Sequence, residues 1–181
     1  MISGLSRLLH RWARGWVILA LFGVFVVFVF VTLPLLQDAP GGNIVSLDAQ
    51  LFYTPEQAFS TVASYGDAGR FWIRIYLTWD IATPILYTLI YSLVISWLIR
   101  RSFKPGSKLQ RLNVLPVGAG LSDLFENICV VVLLSVYPAH PVVVAWLSTL
   151  FTMSKMVFLG LSTLLVLVGL VTAAMNRFRK Q

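Results

Sequence analysis

The sequence predicts an all-α fold, an integral membrane four-helix bundle with a short interfacial helix in its first extracytoplasmic loop. Three observations carry that prediction. Apolar residues make up 58% of the 181 and charged residues only 12%, with a mean hydropathy of +0.83, a composition far from that of a water-soluble domain. The apolar residues gather in four stretches, about Trp16 to Leu36, Phe71 to Ile99, Val114 to Val136 and Val142 to Ala174, each long enough to cross a bilayer as a helix. The charges gather between them, with opposite signs kept apart. A single four-span domain over residues 1–181 follows, without a separate soluble domain.

Span 1 follows Arg7, Arg11 and Arg14, as the apolar part of a signal peptide would. Its run is longer than such a peptide needs and no small-x-small cleavage site follows, so it reads as an uncleaved anchor. The loop over residues 37–70 opens on Asp38-Ala39-Pro40-Gly41-Gly42, a run of turn formers. Thr54-Pro55-Glu56-Gln57 then signals a helix start, with Thr54 as N-cap, Pro55 at the first helical position and Gln57 closing a capping box. The helix predicted over 55–65 stops at Gly66, with Phe59, Val62 and Ala63 on one face and Glu56, Gln57, Ser60 and Ser64 on the other. Such a helix lies on the outer leaflet or folds over the mouth of the bundle. Between spans 3 and 4, Tyr137-Pro138-Ala139-His140-Pro141 leaves room only for a tight turn, which makes those spans antiparallel neighbours. No internal repeat relates the two halves, which disfavours an inverted-repeat transporter.

The net charge of +7 is distributed as a topology signal. Arg7, Arg11 and Arg14 precede span 1; Arg100, Arg101, Lys104, Lys108 and Arg111 separate spans 2 and 3; Arg177, Arg179 and Lys180 follow span 4. No acid falls in these segments, whereas Asp38, Asp48, Glu56 and Asp67 share the first loop, with Arg70 and Arg74 at its border. The positive-inside rule places both termini and the middle loop in the cytoplasm. Trp12, Trp16 and Trp97 then mark the inner interface, and Trp72, Tyr137 and Trp146 the outer one. The basic segments suit anionic lipid headgroups and not a nucleic-acid surface. Cys129 is the one cysteine, a packing residue, so an intrachain disulfide and a CxxC motif are both excluded. His10 and His140 flank the spans on opposite sides, which excludes a multi-histidine metal site. Gly-rich phosphate loops, nucleophile elbows and HExxH are absent, and the acid spacings do not match the aspartate-rich motifs of prenyltransferases or CDP-alcohol phosphotransferases. No metal or cofactor is therefore predicted.

The informative residues are the ionisable ones inside the spans: Asp80, Asp123, Glu126 and Lys155. A charge at the bilayer centre costs about 2.5–3.5 kcal/mol on insertion scales, so such residues face a partner, a cavity or a ligand. Span 2 carries Tyr76, Asp80, Thr83, Tyr87 and Tyr91 at spacings of three and four, on one helix face. Pro84, four residues after Asp80, crowds that residue's carbonyl and predicts a kink beside the carboxylate. Span 3 carries Asp123, Glu126 and Asn127 on one face, and span 4 carries Ser148, Thr152, Lys155 and Ser162. At ~1.5 Å per residue, Asp80, Glu126 and Lys155 lie ~13, ~15 and ~20 Å below the outer ends of their spans. The three stripes can therefore meet near the midplane.

Three carboxylates against one ammonium leave a formal excess of −2, or −1 if Arg74 reaches down. A shared proton, a bound cation or a cationic ligand closes that balance, with Asp123 and Glu126 titrating as a coupled pair. The plainer reading of each residue is a register device, since interhelical polar contacts fix helix alignment for ~0.6 kcal/mol on average. Five such groups on three helices exceed what register needs.

The run Phe52-Tyr53-Thr54-Pro55-Glu56-Gln57-Ala58, then Gly66-Asp67-Ala68-Gly69-Arg70, then Leu77-Thr78-Trp79-Asp80-Ile81-Ala82-Thr83-Pro84-Ile85-Leu86-Tyr87, with the later Asp123-Leu124-Phe125-Glu126-Asn127, resembles a group of uncharacterised small bacterial four-span membrane proteins. The resemblance covers about a third of the chain and implies four helices in a bacterial cytoplasmic (inner) membrane. Asp80 and Pro84 are also distantly similar to the EXPERA family of sterol isomerases and sterol-binding receptors, whose membrane-embedded acids engage an amine or a developing carbocation. The acid-to-proline spacing and span 3 depart from the EXPERA pattern.

The first functional reading is a carboxylate-rich intramembrane site that binds or transforms an apolar or amphiphilic small molecule, a lipid or isoprenoid. Asp80, Asp123, Glu126 and Lys155 are its candidate catalytic residues, and Tyr76, Thr83, Tyr87, Asn127 and Thr152 its candidate ligand-binding residues. A non-catalytic accessory subunit of a membrane complex is the second reading. The third is a proton-coupled transporter element acting as a homo-oligomer, for which Gly169 and Ala173 supply one small-xxx-small pair. The expected partners are accordingly membrane lipids, an apolar small molecule, and another copy or a membrane complex, without nucleic acid.

Overall fold

The computed structural model describes residues 2–32, 34, 47, 50–102 and 107–178. Outside the described residues lie the end of predicted span 1, the turn formers 38–42, Asp48, Lys104, Arg179 and Lys180. The described chain forms α1 (Ile2–Trp12), α2 (Gly15–Val27, continued by a π-helical stretch Phe28–Thr32), α3 (Pro55–Ser64), α4 (Gly66–Asp80), α5 (Ala82–Ser102), a 3-10 segment (Lys108–Val114), α6 (Leu115–Val136) and α7 (Val142–Phe178). Four helical stretches, Gly15–Thr32, Gly66–Arg101, Leu109–Val136 and Val142–Phe178, are long and apolar enough to cross a membrane. They coincide with the four predicted spans and extend three of them.

Local chemistry explains the boundaries. Thr54 caps α3 as predicted: its hydroxyl accepts from the Gln57 amide while the Gln57 side chain accepts from the Thr54 amide, and Pro55 stands in the first turn. Gly66, at φ +63°, takes the left-handed conformation that turns the chain from α3 into α4. Span 2 breaks at Ile81, between α4 and α5. Pro84 has no amide proton to offer the Asp80 carbonyl and its ring crowds it, so the helix restarts at Ala82. This is the predicted kink, and it sits beside the buried carboxylate.

Helices α5, α6 and α7 pack on one another, and α6 lies along α7. Gly120 lets α6 approach α5: a methyl there would collide with Thr88 Oγ1 and lie 3.2 Å from the Pro84 carbonyl oxygen. Gly169 does the same for α7, since an added Cβ would sit 2.9 Å from Leu98 Cβ of α5. Gly169 is thus packed inside the bundle. Helix α2 packs along α5 and buries none of its own residues. It is apolar on every side and carries no stripe that selects a facing helix, so it stands at the periphery of the four-helix bundle.

The two ends differ in chemistry. At the cap end, α3 folds over α4, α6 and α7, and Leu47, Tyr53, Ala58 and Val62 bury against Leu77, Val130, Leu134 and Ala145. The buried face of α3 is Pro55, Ala58 and Val62, with Phe59 partly buried and stacked on His140 at 4.6 Å. Ala63, predicted on that face, is exposed, because the contact centres on Ala58 and Val62. Arg70 is buried there, paired with Asp67, donating to the Val62 carbonyl at 3.4 Å and lying 3.9 Å over the Tyr137 ring. At the other, basic end, the unpredicted helix α1 packs Leu9 against Leu93. There Asn113 Nδ2 donates to the Ser6 carbonyl at 3.1 Å and to Ser96 Oγ at 2.8 Å.

Candidate functional site

The polar stripes of span 2, α6 and α7 meet inside the core, as the depth argument requires. Lys155 of α7 lies 2.7 Å from Glu126 Oε2 and 3.2 Å from Asp123 Oδ1, ion-paired to both. Thr152, one turn away, donates to Glu126 Oε1 at 2.7 Å, and the Tyr87 hydroxyl of α5 donates to Asp123 Oδ2 at 3.0 Å. Glu126, Thr152 and Ser148 are fully enclosed. This group is closed: the ammonium fills the space between the two carboxylates, each of which also has a hydroxyl donor. Among the described residues no three His, Cys, Asp or Glu side chains are placed to hold a metal ion.

Asp80 belongs to a second group. Asn127 Nδ2 donates to Asp80 Oδ2 at 3.4 Å, whereas Asn127 Oδ1 is buried without a hydrogen-bond partner. The sequence placed Asp123, Glu126 and Asn127 on one face, and the structure divides them. Successive residues turn about 100° around a helix, enough for Glu126 to face α7 while Asn127 faces α4. Thr83, one turn past Asp80, likewise buries its Oγ1 without a partner. Tyr76 packs beside the cap-end core, and Tyr91 bonds Thr163 at 3.1 Å on an exposed face. Arg74 is exposed and its Nε donates to the Arg70 carbonyl at 3.3 Å. It turns away from the carboxylates, so the formal excess over the two groups is −2 (three acids, one lysine).

Asn127, though buried, also lines a cleft. A cleft of about 420 Å³ runs between α4 and α6, lined by Leu77, Thr78 and Ile81 on one wall and Leu124, Ile128 and Val131 on the other, with Asn127 among them. Thr78 spends its hydroxyl on the Arg74 carbonyl at 2.8 Å, which leaves the Asn127 amide as the polar group the cleft presents. Leu124 also lines a second cleft of about 170 Å³ between α5 and α6, beside Pro84, Thr88 and Gly120. The two form an apolar seam along span 2 and α6, on either side of the helix break.

Sequence reasoning missed Tyr53. Its hydroxyl donates to Ser148 Oγ at 2.6 Å and its carbonyl accepts from Thr149 Oγ1 at 2.8 Å, so this loop residue ties the cap to α7 one turn from Thr152. Burial pushes its phenol above the ordinary tyrosine range, against the opposing hydrogen bond to Ser148. The only signal was the aromatic's position one residue before the helix cap.

Fold and site together define the chain as an all-helical protein with the make-up of a multi-pass membrane protein and a buried polar centre where three helical segments meet. Neither family models, curated proteins nor solved structures give a match to it.

Proposed function

We propose that the protein binds an amphiphilic small molecule, a lipid or isoprenoid, in the seam between span 2 and α6, with its tail along the apolar walls and its head at Asn127 and Asp80. One observation carries this reading: the enclosed, unpartnered Oδ1 of Asn127 at an otherwise apolar cleft. A buried carbonyl oxygen without a donor costs about 1–3 kcal/mol. A head group with an N–H or O–H would supply that donor, and the negative excess nearby favours a cationic one. The likeness of Asp80 and Pro84 to the EXPERA arrangement, where embedded acids engage amines, supports the same chemistry. The Lys155 group is enclosed and lines neither cleft, so its role here is to hold the three helices in register beneath the ligand. Asp123, Glu126 and Lys155 are then supports for the site, and Asp80 and Asn127 its contacts.

The surrounding assignments follow the charges. Arg7, Arg11, Arg14, Arg100, Arg101, Arg111 and Arg177 flank the basic end, which we assign to the cytoplasmic side of a bacterial inner membrane with both termini inside. The α3 cap then faces outward over the bundle. Native mass spectrometry and lipid extraction of the protein in mild detergent test the proposal. A molecule retained by the wild type and lost in Asp80→Asn, with the melting temperature kept, supports it. An empty wild type, or equal retention in the variant, overturns it.

A further inference from the structure

The described molecule has another concave surface, at the basic end and independent of the seam. Helices α5 and α7 touch at Leu98 and Gly169 and part beyond that point, leaving a cleft of about 970 Å³ between their ends. Three guanidinium groups line it, Arg100 and Arg101 from α5 and Arg177 from α7, together with Trp97, Asn176 and Ala173. Among the described residues no carboxylate pairs with them. Of the seven acids in the chain, four lie between residues 38 and 67 and the other three are Asp80, Asp123 and Glu126 of the buried centre. The described ion pairs join Arg70 to Asp67 and Lys155 to Asp123 and Glu126.

Two of the three cations are already held in place. Arg100 donates to the Ala13 carbonyl at the junction of α1 and α2, and the Arg101 guanidinium lies 3.7 Å over the Trp97 ring. A guanidinium fixed by its protein neighbours loses less freedom when it grips an anion, and its planar fork matches phosphate oxygens in pairs. The cleft is at the upper end of small-molecule site volumes, more room than an inorganic phosphate fills. Its other walls are alanine, leucine and aromatic side chains. Charge complementarity and an apolar floor at the end of membrane-length helices select an anion that carries hydrocarbon.

We infer that this cleft is a binding site for the phosphate headgroup of an anionic phospholipid, gripped by Arg101 and Arg177 with Arg100 behind them. Basic clefts between helices at the cytoplasmic side of a membrane bind such headgroups. The test uses the full chain in mild detergent, with phosphatidylglycerol and phosphatidylcholine of identical acyl chains as probes and retention read by native mass spectrometry. The wild type retains phosphatidylglycerol preferentially. Arg101→Gln with Arg177→Gln lowers that retention about thirtyfold, the scale of two charge contacts near a membrane, and leaves phosphatidylcholine unchanged. Arg7→Gln with Arg11→Gln, which removes the same charge from exposed positions of α1, leaves phosphatidylglycerol in place. Equal loss in both pairs means diffuse attraction and overturns the site. Displacement of the lipid by millimolar inorganic phosphate, which itself stays bound, means a soluble-anion site and overturns the lipid assignment. If the glutamine pair does not fold, Arg101→Lys with Arg177→Lys decides, since it keeps the charge and loses the fork: reduced retention supports the site, and wild-type retention contradicts it.

Discussion

Asp123 and Asp80 are buried alike, at 7% and 6% exposure, yet their surroundings differ in kind. Asp123 shares Lys155 with Glu126 and takes a hydrogen bond from Tyr87. Asn127 donates to Asp80 at 3.4 Å, keeps its own Oδ1 buried without a hydrogen-bond partner, and lines a cleft. Burial alone therefore does not mark a functional carboxylate in a helical bundle. What separates the two is the neighbour: the Lys155 ammonium lies 2.7 Å from Glu126 Oε2 beside Asp123, whereas Asn127 beside Asp80 keeps its Oδ1 without a hydrogen-bond partner. The ion-paired side stabilises the fold, and the Asn127 side is the one we propose for a ligand.

Lysine 155 is where that distinction breaks most visibly. Lys155→Ala leaves Asp123 and Glu126 enclosed without their counter-charge, and breaking a buried pair from one side costs about 3–5 kcal/mol. We expect the largest drop in melting temperature of any single change discussed here, and a wild-type melt would show that the closed group does not hold the core. Close behind comes Gly120→Leu, which drives a side chain into Thr88 and the Pro84 carbonyl. Overpacking of this kind costs about 1–3 kcal/mol and would also deform the seam, so retention of the bound amphiphile should fall together with stability.

On the open side the pattern reverses. Asn127→Leu loses the hydrogen bond to Asp80 and removes the unmatched Oδ1, a loss and a gain of about 1–3 kcal/mol each, so retention of the amphiphile should vanish while the melt moves far less than in Lys155→Ala. A smaller effect concerns the cap. The Tyr53 phenol titrates higher in the folded protein than its ordinary 10.0, so above that pH the unfolded chain releases the proton first and stability falls as pH rises. Tyr53→Phe should flatten that alkaline decline in melting temperature. Thr54→Ala, which removes the N-cap of α3, should cost about 1 kcal/mol, read as faster hydrogen exchange in α3 with the core unaffected.

How much of this was legible in the sequence depends on the range of the physics involved. Span lengths, the Thr54 cap and the break after Asp80 are local, written in composition, a capping box and one proline. The convergence of Asp123, Glu126 and Lys155 was also legible, because helix rise and periodicity fix depth and face. The split between Glu126 and Asn127 was not, since a stripe two residues wide serves one neighbour or two according to where α4 and α7 stand. Helix α1 was missed although Leu5, Leu9 and Trp12 recur at three and four residues, because its basic residues were read only as topology. The seam and the arginine cleft are shapes between helices and have no sequence signature of their own.

Photolabelling tests the central claim most directly. A long-chain amine with a diazirine in its tail, incubated with the protein in detergent and mapped by peptide mass spectrometry, should label Leu77, Ile81, Leu124 and Ile128, and an excess of the unlabelled amine should suppress it. Labelling spread evenly over the exposed apolar faces of α2 and α7, without competition, would contradict a ligand site in the seam.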